Sequence, residues 1–132
     1  MSVSRLEALH DAIASLRGWN NPDSASYQLR NPLLVKSYSR PGKNIITDDG
    51  SRVFSSELAG LRACLFDLEL KVKGESRAGI KKDDLLENVL RVYGVTERLG
   101  QQQIVKFLKR ALKTQDISVT TPLTWFLEEE SK

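Results

Sequence analysis

The stretch that decides the fold is SELAGLRACLFDLELKVK, residues 56–73. Leucine or valine recurs in it at three- and four-residue intervals, which is the spacing of one face of a helix. The members of this stripe are Leu58, Leu61, Leu65, Leu68 and Val72. Ser55 or Ser56 can cap the start, Glu57 places an acid in the first turn, and Gly74 follows the last turn. We therefore predict a central core helix over 56–73.

Upstream of it, residues 4–17 predict a first helix. The apolar spacing is helical, and Ser2 or Ser4 can cap its start. The apolar positions are Leu6, Leu9, Ile13 and Leu16. Gly18 is a natural stop. Arg17 falls on the flank of the apolar stripe, where a cleft-lining residue would lie, so it either points into a cleft or pairs with an acid such as Asp67.

Between these helices the sequence predicts a loop and one β-hairpin. Residues 20–41 are rich in Asn, Pro and Ser and lack helical spacing, which indicates an ordered loop of the kind that often carries function. Residues 44–47 and 51–54 are strand-forming and flank Asp48-Asp49-Gly50, a strong hairpin signal. We expect a small hairpin here.

Three further helices are predicted downstream. One covers 83–93 and is closed by Gly94, and one covers about 97–114 with its basic residues on the side opposite the core. The apolar positions of the second are Ile104, Val105, Phe107, Leu108, Ala111 and Leu112. A short helix with Thr121 as cap and Pro122 in its first turn should dock Trp125 and Phe126. An acidic end, residues 128–132, follows.

Composition narrows the class of protein. The chain has 132 residues, a formal net charge of +3 and no long apolar run, which predicts a single mainly α domain over 1–132 without membrane spans. Because it has one cysteine and one histidine, we expect no metal site and no cofactor, and any metal would need carboxylates alone. The first ten residues lack the apolar core of a secretory signal, so we expect a cytoplasmic location.

Several short motifs follow one another along residues 5–112. They are Leu16-Arg17-Gly18-Trp19-Asn20, Leu29-Arg30-Asn31-Pro32-Leu33, Arg52-Val53-Phe54-Ser55-Ser56, Gly60, Ala63, Asp67-Leu68, Gly74-x-Ser76-Arg77 and Val92-Tyr93. This order resembles the lysozyme-like superfamily, in the branch of small bacterial and phage muramidases and lytic transglycosylases. The resemblance implies a helical lysozyme-like domain with one hairpin and a cleft that binds peptidoglycan.

The resemblance also implies that the chemistry is lost. In the family pattern the residue before the glycine of the first motif is the glutamic acid that protonates the glycosidic oxygen, and here it is Arg17. A guanidinium has no proton to cycle, but it can donate paired hydrogen bonds to a carboxylate. We therefore expect no catalytic residue, and a retained cleft that binds an anionic glycan, a peptidoglycan fragment or a protein partner. The expected ligand-binding residues are Arg17, Trp19, Asn31, Tyr38 and Arg40.

Two other functions stay open. An active glycosidase would need a relocated acid, for which Asp23 in the loop after Trp19 is a weak candidate; the others are Glu7, Asp48, Asp49 and Glu57. A nucleic-acid-binding protein would use basic residues on the loop and on one helix. These are Arg30, Lys36, Arg40 and Lys43, with Lys106, Lys109, Arg110 and Lys113. The single Cys64 is expected in the core, and His10 with Glu7 as a helix-surface contact.

Overall fold

The computed structural model describes residues 4–35, 45–46, 52–54, 56–75, 79–81 and 83–128. These residues are mainly helical, which confirms the predicted fold class at that level. The helices are α1 (Arg5–Leu16), α2 (Ala25–Gln28), α3 (Glu57–Val72), α4 (Leu86–Val92), α5 (Arg98–Leu112) and a final 3₁₀ helix (Leu123–Leu127). Among the described residues, no helix has both the length and the apolar character to cross a bilayer.

Helix α1 forms as its capping residues predict. The Oγ of Ser4 accepts a hydrogen bond from the backbone N–H of Glu7, and Arg17 is the C-cap. Leu9 and Ile13 are fully buried. His10 is also buried, and its Nδ1 lies 3.1 Å from Oδ1 of Asp11. The predicted surface contact between His10 and Glu7 is therefore wrong.

Helix α3 begins after the Ser56 cap and ends at Val72, close to the predicted bounds, and its buried face overlaps the predicted stripe only at Leu68 and Val72. Its buried residues are Gly60, Cys64, Leu68, Lys71 and Val72. Leu58, predicted on the core stripe, is 56% exposed. The cause is at Gly60, where an added Cβ would overlap the carbonyl oxygen of Arg30. Helix α3 thus turns Gly60 towards the preceding loop, and the N-terminal end of the stripe, Leu58, lies outside the core.

The loop between α1 and α3 is ordered where it is described, and it contains the one-turn helix α2 that the sequence analysis missed. Ser24 caps α2 by accepting from the N–H of Tyr27. Two short strands, β1 (Ile45–Ile46) and β2 (Arg52–Val53), pair antiparallel with Ile45 opposite Val53. Residues 47–51, the expected turn, lie outside the described residues, so the hairpin stays a prediction.

The C-terminal half closes the core against α1. Helix α5 buries Ile104 and Leu108, whereas Phe107 is 37% exposed and Ala111 is exposed, so those two were wrongly predicted to face the core. Leu85 forms an isolated antiparallel bridge with Pro122. The last helix is of the 3₁₀ type and docks as expected.

That docking depends on α1. Phe126 is buried and lies edge-on to Trp125, with ring centroids 5.1 Å apart. The guanidinium of Arg5 stacks 4.0 Å from the centroid of the Trp125 ring, and its Nη1 donates to the Trp125 carbonyl at 2.9 Å. The chain end is thereby attached to the first turn of α1.

Candidate binding site at the end of α1

The last turn of α1 positions Arg17. Its backbone N–H donates to the Ile13 carbonyl at 3.0 Å, so the residue still has helical geometry. Gly18 then takes a positive φ of 91°, and the chain reverses towards Ser24, whose Oγ donates to the Gly18 carbonyl at 2.6 Å. An added Cβ at Gly18 would lie 2.7 Å from the Ser24 Cβ. The motif Arg17-Gly18 therefore ends the helix and aims the guanidinium away from the α1 axis.

The guanidinium of Arg17 lies against the connection between α4 and α5. Its Nη2 donates a hydrogen bond to the backbone carbonyl of Tyr93. Gly94 follows with a φ of 83°, and a Cβ at that position would overlap Nη2 of Arg17. Glycine at 94 therefore serves two purposes: it closes α4 and it leaves space for the arginine.

Tyr93 is itself fixed by a polar cluster on α3. Its hydroxyl donates to Oδ2 of Asp67 at 2.5 Å, and the same oxygen accepts from Nζ of Lys71 at 2.5 Å. Burial first, and then the charge and hydrogen bond of Asp67, raise the pKa of the Tyr93 hydroxyl. Asp67 is thus occupied by Tyr93 and Lys71, and Arg17 does not pair with it.

Arg17 borders a cavity of about 290 Å³ between α1 and the start of α5. The described residues that line it are Leu16, Arg17, Gly94, Val95, Thr96, Glu97, Leu99, Gly100 and Gln103. Leu99 is 68% exposed and gives the cavity an apolar rim. Leu99 and Gly100 belong to the first turn of α5, where backbone N–H groups have no acceptor within the helix and the helix dipole is positive.

The Arg17 guanidinium supplies the cavity with a cationic group. Burial lowers the pKa of the Arg17 guanidinium, which nevertheless stays protonated because the ordinary value is so high. Within the described part of the chain, no carboxylate lies within ion-pair distance of Arg17, and its buried Nε has no hydrogen-bond partner. Glu97 lines the cavity but makes no ion pair with Arg17. A half-buried cation without a counter-charge is costly unless an anion accompanies it.

Trp19 lies near this cation in sequence but beside a second aromatic ring in space. Its ring centroid is 6.5 Å from that of Tyr27, and the two planes are inclined by 52°. Trp19 is half-buried against the core, whereas Tyr27 is 42% exposed. Trp19 is a predicted ligand-binding residue, and Tyr27 is the aromatic residue next to it in the structure.

Asn31, one of the predicted ligand-binding residues, lies in the interior beneath the loop. It is fully buried, its Oδ1 accepts from the Val35 N–H at 2.9 Å, and its Nδ2 donates to the Val35 carbonyl at 2.9 Å. The thiol of Cys64 also donates to Oδ1 at 3.2 Å. Asn31 therefore holds the loop on α3, and Cys64 is a core residue, as predicted. Tyr38 and Arg40 lie outside the described residues.

The candidate acids are scattered. Asp23 is exposed, and its backbone N–H donates to Oδ1 of Asn21, which is ordinary turn geometry. Glu7 accepts from the Ser4 hydroxyl at the start of α1, and Glu57 is exposed in the first turn of α3. Asp48 and Asp49 fall outside the described residues. None of the described candidates lines the cavity beside Arg17.

The residues that sequence reasoning missed come from the connection between α4 and α5 and from α5 itself: Tyr93 as hydrogen-bond acceptor, Gly94, Glu97 and Gln103. One signal was available, since Val92-Tyr93 is part of the motif order that carries the resemblance. The described residues contain no group of three His, Cys, Asp or Glu side chains that could hold a metal ion. Comparisons with models of known families, with curated proteins and with solved structures found no match.

Proposed function

We propose that this protein is a catalytically inactive lysozyme-like domain that binds a carboxylate-bearing glycan of the peptidoglycan type. The observation that carries the proposal is the guanidinium of Arg17, which stands where the family pattern has its acid and borders a cavity without a carboxylate partner among the described residues. Arginine binds carboxylates through paired, charge-assisted hydrogen bonds.

The packing of the motif residues supports a common scaffold. Gly60 lies against the backbone carbonyl of Arg30. A Cβ added at Gly60 would lie 3.3 Å from Cδ of the Pro32 ring. The N–H of Phe54 donates to the Leu29 carbonyl at 3.0 Å. Residues from three separate motifs thus contact one another around one loop, which supports treating them as parts of one scaffold.

Co-sedimentation with purified peptidoglycan sacculi tests the proposal, with the bound protein and the released soluble sugar fragments measured in the same tube. We expect binding without release. The variant Arg17→Gln should reduce the bound fraction strongly, and Arg17→Lys should restore it only in part, because lysine keeps the charge but not the paired donors.

The matched control is Arg91→Gln, which makes the same change in net charge at an exposed position in the last turn of α4. This variant should bind sacculi like the wild type. Release of fragments would overturn the inactive reading and point to a relocated acid. Failure to bind, or equal losses in Arg17→Gln and Arg91→Gln, would overturn the glycan proposal.

A further inference from the structure

A second cationic region lies on the C-terminal half of α5. Its four members are Lys106, Lys109, Arg110 and Lys113. Helix α5 contains no aspartate or glutamate, and none of the four cations forms an ion pair with a described residue. Cations near a helix C-terminus are favourable for the helix dipole, which accounts for their presence but not for their arrangement.

Two of the four cations border a groove. It measures about 400 Å³ and lies between α5 and the segment 117–119. The described lining residues are Gln102, Val105, Lys106, Lys109, Ile117, Ser118 and Val119. Arg110 and Lys113 are exposed on the same helix but do not line it. The groove shares no lining residue with the cavity beside Arg17, so the two regions can be tested separately.

The groove combines charge with an apolar surface. Ile117 is only 3% exposed, and Val105 and Val119 are half-buried, so an aliphatic side chain entering the groove would contact three branched residues. The hydroxyl of Ser118 is already engaged with that of Thr120 at 2.9 Å. A ligand that fits must therefore carry both negative charge and an apolar group.

We propose that this groove binds an acidic segment of a partner protein in extended conformation. Lys106 and Lys109 are three residues apart on a helix, which separates their Cβ atoms by about 5–6 Å. Alternate residues of an extended strand lie about 6.6 Å apart. Two carboxylates at positions i and i+2 of the partner can therefore reach the two ammonium groups, while a neighbouring aliphatic side chain contacts Val105 and Val119.

Nucleic acid fits the same surface less well. Proteins that bind single strands stack bases on aromatic rings, and no aromatic residue lines this groove among the described residues. A phosphate backbone would also use the exposed Arg110 and Lys113 as readily as Lys106 and Lys109, and it would leave the three aliphatic residues unused. Charge together with apolar lining favours a peptide.

The test is fluorescence anisotropy of the full chain with a labelled Gly/Ser peptide of about nine residues that has Glu-Leu-Glu at its centre. At about 50 mM salt, where charge interactions are weakly screened, the wild type should bind it saturably. The double variant Lys106→Gln/Lys109→Gln should weaken binding about tenfold, since each charge-assisted contact contributes severalfold. Arg110→Gln/Lys113→Gln, with the same change in net charge, should weaken it less than about twofold.

The apolar part of the proposal has its own variant. Val119→Thr keeps the size and all charges, and it should also weaken binding of this peptide while leaving thermal unfolding near that of the wild type. Absence of saturable binding, equal losses in the two double variants, or tighter binding of oligothymidylate than of the peptide would each overturn the proposal.

Discussion

The cavity at the end of α1 and the groove beside α5 both present cations to solvent, but those cations have different surroundings. The Arg17 guanidinium is half-buried, bonded to the Tyr93 carbonyl and confined by Gly94. The lysines of the groove sit on a helix surface without an ion pair to any described residue. The fold therefore fixes the position of the Arg17 guanidinium, whereas the ammonium groups of Lys106 and Lys109 can move among side-chain rotamers.

Because of this difference, substitutions in the two regions should differ in how they affect folding stability and binding. A cation that the fold holds in place is coupled to the packing around it, so substitutions there change both stability and affinity. A solvated cation contributes little to stability, because exposed charges are screened by water and salt. Substitutions in the groove should consequently affect binding alone.

The largest expected effect is at Gly94. Substitution by alanine forces a side chain into positive φ and displaces the end of the Arg17 side chain from the Tyr93 carbonyl, and we expect the free energy of unfolding to fall by about 2–3 kcal/mol in urea titrations. Gly100 is the control, since it lines the same cavity within helix α5, and an added Cβ would lie 3.3 Å from Cγ1 of Val95. Gly100→Ala should change stability by less than about 1 kcal/mol. Equal effects would show that Arg17 is not confined at Gly94.

A somewhat smaller effect is expected for Tyr93→Phe. The substitution removes the hydrogen bond from the hydroxyl to the Asp67 carboxylate but leaves the contact of Asp67 with Lys71. Hydrogen bonds to charged groups contribute about 2 kcal/mol, so the unfolding free energy should fall by about that amount. The ring keeps its place, and sacculus binding by Arg17 should persist; loss of binding would mean that the hydroxyl itself positions the Tyr93 carbonyl.

The same residue gives a pH dependence with a definite sign. Because the folded protein raises the pKa of the Tyr93 hydroxyl, the neutral form is favoured on folding. The stability that this buried hydroxyl contributes is fully present below its pKa in the unfolded chain, about 10, and is lost as the pH rises above that value. The difference in unfolding free energy between wild type and Tyr93→Phe should therefore shrink between about pH 10 and 11. If the difference stayed constant over that range, the hydroxyl of Tyr93 would not have a raised pKa in the folded protein.

The smallest effect is expected for Lys106→Gln/Lys109→Gln. Because these cations have no ion pair among the described residues, the free energy of unfolding measured in urea should change by less than about 0.5 kcal/mol. Arg17→Gln measured in parallel should cost more, because it removes the contact with Tyr93. If the lysine variant were the more destabilised of the two, the contrast between the two regions would be reversed.

Much of the helical framework was predictable from spacing and caps. Ser4 and Ser56 cap helices α1 and α3 through their hydroxyls, as their positions in the sequence indicated. The buried face of α3 was predictable only in part: Leu68 and Val72 are buried as expected, but Leu58 is exposed. Hydrophobic spacing alone cannot show that the backbone carbonyl of Arg30 packs against Gly60.

The residues of the candidate site were likewise predictable only in part. That Arg17 ends α1 beside a turn followed from Gly18 alone, and that an arginine cannot be a general acid follows from its chemistry. The buried role of Asn31 was hidden, since an asparagine in a loop motif looks the same in sequence whether it faces a ligand or closes the loop on Val35.

The sequence by itself determined the positions of the longer helices, and that residue 17 is an arginine, which cannot act as a general acid, because capping, periodicity and side-chain chemistry are local properties. Only the tertiary structure decided which atoms surround Arg17. Tyr93 and Gly94 are more than seventy residues away in the chain, and their contact with the guanidinium depends on how α4 and α5 pack on α1. Packing across such separations is set by the fit of whole helices, which no local pattern specifies.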